Sequence, residues 1–263
     1  MKPIFKSGLA ASMFMAVGLA HASSVTIPAG AQYYGAPYYG TSINGVSTLS
    51  LSPDVLMTLD IIQTSVTSYG AAAASVMKDS DGFYTQVSVA APITSVSLDT
   101  QSTDIVSVAT AGGIVMTAPA RKSVGSGGSL TVTDLNVDLA NKQVYATLIG
   151  GNGVGTLNNI ALWNVGSVTS SGLITGYDSH CGFYNDCLYV APGMTLSGLR
   201  LTADGFNKVA QSLGLLSLGK SALTGITDFG TITMGAVPEP STPALMGLGL
   251  AGLLISKRRR QRA

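Results

Sequence analysis

SLTVTDLNVDL (Ser129–Leu139) and KQVYATLIG (Lys142–Gly150), joined at Ala140-Asn141, decide how this chain folds. Apolar and polar residues alternate along both segments, the period-two pattern of strands with one buried face. The two arms read as an antiparallel hairpin. Leu130 and Val132 keep one phase of the alternation, whereas Leu135, Val137 and Leu139 keep the other. A single bulge near Thr133-Asp134 accounts for the change, because one extra residue swaps the faces of everything after it.

The same pattern extends in both directions. Upstream, Ala74–Lys78 and Phe83–Ala90 flank the turn Asp79-Ser80-Asp81-Gly82, and Ile93–Leu98, Ile105–Ala109 and Ile114–Thr117 follow as short strands. Downstream, Ile160–Val165 carries the only tryptophan, Trp163, a core anchor, and Met194–Leu201 and Ile226–Met234 complete the set. Gly125-Ser126-Gly127-Gly128 reads as a linker or a long hairpin loop. Two segments break the β pattern. Ser52-Pro53-Asp54 is a helix start, with a cap, a proline at the first position and an acid in the first turn. Val55, Leu56, Leu59 and Ile62 then share a face, which predicts a helix over 53–63 ending in the Thr/Ser-rich Thr64–Ser68. Thr202 caps a second helix with Phe206, Val209, Ala210 and Leu213 on one face and Gly214 as terminator. The fold class is mainly β: an antiparallel sandwich or barrel-like domain with two short helices.

Both ends of the chain lie outside that domain. Lys2 and Lys6, the apolar Leu9–Leu19 and the small-x-small triplet Ala20-His21-Ala22 form a secretory signal over 1–22, with signal peptidase cutting between Ala22 and Ser23. Residues 23–40 form a Tyr/Gly-rich arm in which Tyr33-Tyr34-Gly35 echoes Tyr38-Tyr39-Gly40. Those tyrosines either pack on the domain or offer flat faces to sugar rings. The β-rich mature domain runs over 41–236.

At the other end, Val237-Pro238-Glu239-Pro240 must be extended, since two prolines fix φ and remove donors. Glu239 is the only glutamate in the chain. An apolar run from Pro243 to Ile255 follows, roughly 20 Å long as a helix. With Ser256 and the basic stems of Lys257, Arg258, Arg259 and Arg260 it makes a short membrane helix over 243–256, its basic end held cytoplasmic. The parts VPEPST (Val237–Thr242), ALMGLGLAGLL (Ala244–Leu254) and KRRR (Lys257–Arg260) together resemble the PEP-CTERM sorting signal of Gram-negative bacteria. Pro243 stands where that family often has an aromatic. The resemblance covers 237–262 and implies a transient inner-membrane anchor, recognition by exosortase, and a destination at the cell surface or in a biofilm matrix. An exopolysaccharide partner is part of that implication.

Without its two signals the chain keeps seven basic residues against twelve aspartates, a net charge of −5. Such a surface gives nucleic acid no electrostatic footprint. Cys181 and Cys187, in HCGFYNDC, are the only cysteines; in an exported chain the pair reads as a disulfide, adding at most about 2 kcal/mol by closing so short a loop. A metal site of those thiols with His180, Asp178 and Asp186 is the rival reading, and an oxidising compartment removes the thiolates it needs. His180 is the single histidine of the mature chain, with no nucleophile motif beside it. Asp79-x-Asp81-Gly82 opens like a calcium loop but lacks the later ligands, so it reads as a plain turn. No catalysis, metal or cofactor is expected. The middle, TVTDLNVDLANKQVYATL (Thr131–Leu148) with LTADGFNKVAQSLG (Leu201–Gly214), resembles extracellular HtaA-type haem-binding domains. That second resemblance implies an extracellular ligand-binding module as the alternative.

Overall fold

The computed structural model describes residues 24–33, 41–102, 104–177 and 188–236. The expected signal peptide over 1–22, the tyrosines from Tyr34 to Tyr39, the cysteine loop with His180, and the tail from Val237 lie outside the described residues.

In chain order the elements are β1 (Ser24–Pro28), β2 (Gln32–Tyr33), β3 (Thr41–Ile43), β4 (Val46–Leu51), α1 (Pro53–Ile62), β5 (Ser65–Tyr69), β6 (Ala73–Lys78), β7 (Tyr84–Asp99), β8 (Ile105–Thr110), β9 (Gly113–Arg121), β10 (Gly125–Asp138), β11 (Gln143–Gly150), β12 (Gly155–Asn164), β13 (Ser167–Tyr177), β14 (Leu188–Ser197), β15 (Arg200–Leu201), α2 (Ala203–Ser212), α3 (Ser217–Thr224) and β16 (Gly230–Gly235). One hydrogen-bonded system joins all the strands. Its longest path runs β15-β12-β11-β10-β8-β7-β4-β16-β14-β3-β2 and does not close on itself. The expected antiparallel sandwich or barrel-like domain is therefore corrected to a single open sheet that folds over, in which β3 pairs with β14 in parallel.

The fold line is built by three long strands bending at the same level. β7 pairs with β4 and β6 through its first half, then with β1 and β8 through its second. Pro92 sits at the change, where its missing N–H suits a bend better than a continuous ladder. β10 pairs with β9 as far as Thr133↔Gly113 and with β8 from Asn136↔Ala109, so β8 and β9 act as one strand broken at Ala111-Gly112. The bulge of β10 lies opposite that break, between Thr133 and Asn136, where the sequence alternation changes phase. Asp134 takes φ +52° and Gly112 φ +80°. The Asp134 carboxylate accepts the Gly112 N–H (3.0 Å), and the Asp134 N–H donates to the Gly112 carbonyl (3.2 Å). Ala111 N–H donates to the Pro92 carbonyl (3.0 Å), which ties the third strand into the line.

Folding over buries one face on the other. Leu49, Val89 and Ala91 of the β4–β7 layer look across a small cavity at Ile114, Val132 and Leu135 of the β9–β10 layer. Val87, Val96, Val108, Leu130, Val137, Val144 and Leu148 are almost fully buried along the same interior. At about 1.5–3 kcal/mol per buried branched side chain, this alternating set dominates the stabilisation.

The helices close the ends. α1 starts where expected, with Ser52 accepting from Val55 N–H and Pro53 in the first turn; Gln63 ends it in the left-handed region at φ +57°. α2 is capped by Thr202, which accepts from Gly205 N–H, and Gly214 at φ +63° stops it. A third helix, α3, corrects the expected two. It is eight residues long, contains Gly219 and has no side-chain cap, so no start signal marks it. Other local readings change too. Thr64–Ser68 is mostly strand β5, Gly125–Gly128 is the start of β10 rather than a loop, and the Ser/Thr/Gly-rich β13 was not readable as a strand. The β10–β11 connection uses four residues, Leu139–Lys142, with Asp138 accepting from Asn141 N–H, rather than a two-residue turn.

Candidate functional site

Among the described residues, a wide-mouthed groove of ≈ 540 Å³ lies where β15, α2, α3 and the 226–229 loop meet. Its floor is apolar. Phe229 and Leu223 are buried, Phe206 and Ile226 half-buried. The Phe229 ring rests 6.5 Å from Trp163 at 47°, so the predicted core anchor supports the floor from behind. Asp228 sets the loop: its Oδ1 accepts from Leu199 N–H (3.1 Å) and Gly230 N–H (2.9 Å), while Phe229 N–H donates to the Leu199 carbonyl. That oxygen is thereby spent on backbone.

The rim is polar and mostly unspent. The Thr202 hydroxyl is committed to the Ala161 carbonyl and the Gly205 N–H, and Thr224 donates to the Lys220 carbonyl. Arg200, Asn207 and Thr227 are exposed on the rim, and their side chains make no hydrogen bond or ion pair with the described residues. Among the described residues, no His, Tyr, Met or Cys lines the groove. The sequence reading missed these residues. The readable signal was a mild charge bias: Arg200, Lys208 and Lys220 stand with Asp204 and Asp228 within 200–229, whereas the rest of 23–236 carries four cations and ten aspartates.

A second groove, ≈ 460 Å³, runs between α1 and the start of β7, where Met57, Ile61 and Phe83 are exposed. Two of its lining residues, Asp60 and Tyr84, are already engaged. Both Asp60 oxygens lie 3.2 Å from the Tyr84 N–H, and Lys78 Nζ sits 4.1 Å over the Tyr84 ring. In the Asp79–Phe83 turn, Asp79 Oδ1 accepts from Asp81 N–H (3.0 Å) and Phe83 N–H (2.9 Å), an arrangement that closes a turn and holds that oxygen on backbone. Among the described residues no three His, Cys, Asp or Glu side chains gather as a metal site. No described helix is long and apolar enough to cross a membrane. The signal cleavage residues Ala20, Ala22 and Ser23, the Cys181–Cys187 pair and the basic stop Lys257–Arg260 fall outside the described residues.

The sorting residues follow β16 in the chain. β16 is held on one side by β4, along its whole length, and on the other by β14. It ends at Gly235, one residue before the tail. The tail, residues 236–260, matches the family model of the PEP-CTERM protein-sorting motif. No curated protein and no solved structure matches the chain.

Proposed function

We propose that the chain is an exported cell-surface or exopolysaccharide-matrix protein with a structural or adhesive role and no catalysis of its own. The observation that carries this is the sorting motif over 236–260, which makes the chain an exosortase substrate routed out through the cell envelope. The fold supports the division of labour. β16 finishes at Gly235, so a cut within Val237–Pro240 leaves every rung between β16, β4 and β14 intact. Backbone hydrogen bonds in a central strand hold the mature domain together without help from the tail. In this reading signal peptidase removes 1–22, the helix over 243–256 holds the precursor in the inner membrane, and the Cys181–Cys187 disulfide forms after export.

Two properties of the described surface suit a matrix protein. The fold is dominated by sheet, with polar Ser and Thr side chains on its outer faces, which gives broad surfaces rather than an enclosed pocket. The two grooves described above are open to solvent. Fractionation of cells tests the proposal. With exosortase active, the domain should appear in the surface or matrix fraction at a mass lacking the tail. Without it, the domain should stay with the inner membrane at precursor mass. A mature domain found only free in the medium in both strains would contradict a matrix role.

A further inference from the structure

We infer that the groove between α2 and α3 is a binding site for an acidic sugar unit, a uronate residue within a polysaccharide. The inference rests on the matrix reading above and names the ligand class that the groove's own chemistry selects.

Three features converge on that class. A pyranose ring has an apolar C–H face, and the floor of Phe206, Leu223, Ile226 and Phe229 offers a matching apolar surface with two aromatic rings. Ring hydroxyls need donors and acceptors at the edge, and Asn207 and Thr227 stand there with unspent hydrogen-bonding capacity. A carboxylate needs a cation, preferably a planar fork, and the Arg200 guanidinium occupies the rim without an acidic partner among the described residues.

Electrostatics narrows the choice further. The mature chain is acidic at −5, yet 200–229, the segment that builds the groove, holds three of its seven cations and two of its twelve aspartates, Asp204 and Asp228. Lys220 precedes the groove residues Leu223 and Thr224 by three and four positions, which puts it on the same side of α3 one turn away. On a domain that is negative overall, the rim cation Arg200 supplies a local attraction for an anion. The groove's shape decides between sugar and lipid. It is open along its length at ≈ 540 Å³, so a chain of sugars can lie across it, whereas an acyl tail would need walls that exclude water.

The test is affinity electrophoresis of the full chain through gels containing polygalacturonate, with neutral dextran as the comparison. The wild-type chain should be retarded by polygalacturonate, weakly by dextran, and less as salt is raised. Arg200→Ala should weaken polygalacturonate binding by about tenfold, the scale of one charge-assisted pair, and Asn207→Ala and Thr227→Ala by a few-fold each. Arg200 is exposed and has no partner among the described residues, so its loss should leave the melting temperature unchanged, which separates binding from folding. Every variant keeps the basic cluster Lys257–Arg260, so a difference between them belongs to the groove. Retardation unchanged by Arg200→Ala, or equal in dextran and polygalacturonate, would overturn the inference. Localisation to the matrix in either event would leave the sorting proposal standing, and its failure would show in the fractionation alone.

Discussion

Replacing Asp134 probes the corner on which the whole sheet turns. The residue sits at φ +52°, where aspartate and asparagine are tolerated and alanine costs about 1 kcal/mol. Its carboxylate accepts the N–H of buried Gly112 at 3.0 Å and the Thr133 hydroxyl at 3.1 Å. Asp134→Ala removes both and leaves the Gly112 N–H without that partner, about 1–2 kcal/mol more. The sum is about 2–3 kcal/mol, a large share of the roughly 5–15 kcal/mol that holds a domain folded. Asp134→Gly relieves the backbone but loses the hydrogen bonds, so it should cost about 1–2 kcal/mol. Asp134→Asn keeps both an acceptor and the conformation and should cost about 1 kcal/mol or less. Urea unfolding followed by Trp163 fluorescence measures the series, since Trp163 is the single tryptophan and is 5% exposed. The order Ala, Gly, Asn from worst to mildest is the signature of a pinned bulge. An alanine variant within about 0.5 kcal/mol of wild type would show that the corner is held by something else.

Gly113→Ala should be far worse than its size suggests, because a Cβ there would run into the Val132 carbonyl across the β9–β10 ladder; soluble yield and urea midpoint should both collapse. Asp99 should contribute to acid stability. The backbone N–H groups of Ser102 and then Gln101 hold its carboxyl below the ordinary value of about 3.9, so its contribution is present above that pH and is lost as pH falls through the folded value. Asp99→Asn should therefore lower stability at neutral pH while flattening the acid limb of the curve; an acid limb identical to wild type would remove Asp99 from the account. The exported protein should react with no thiol reagent until reduced, and then gain about two daltons for the pair Cys181 and Cys187.

The sequence made the fold's interior legible and its boundaries less so. The alternation in Ser129–Gly150 located both the hairpin and its bulge, because a face swap leaves a permanent mark in the order of Leu and Val. Ser52-Pro53 and Thr202 marked α1 and α2 because each cap does a specific chemical job. α3 has no such cap, and β13, rich in Ser, Thr and Gly, has little apolar alternation to read. The fold-over was invisible because its parts lie far apart in sequence: Pro92, Gly112 and Asp134 mean a corner only once their strands are neighbours. The groove was hidden for the same reason. Arg200, Asn207 and Thr227 share a rim only after α3, unmarked in the sequence, folds against α2.

The central claim is that the last residues, and not the sheet, decide where this protein goes. Changing Pro238-Glu239-Pro240 to Ala-Ala-Ala tests it most directly, with the intact mass of the protein read in cells that contain exosortase. The variant should keep its tail and remain with the inner membrane, its mass that of the signal-peptidase product alone, while the wild-type protein loses the tail and leaves. A variant that is trimmed and exported at the wild-type mass would contradict the account.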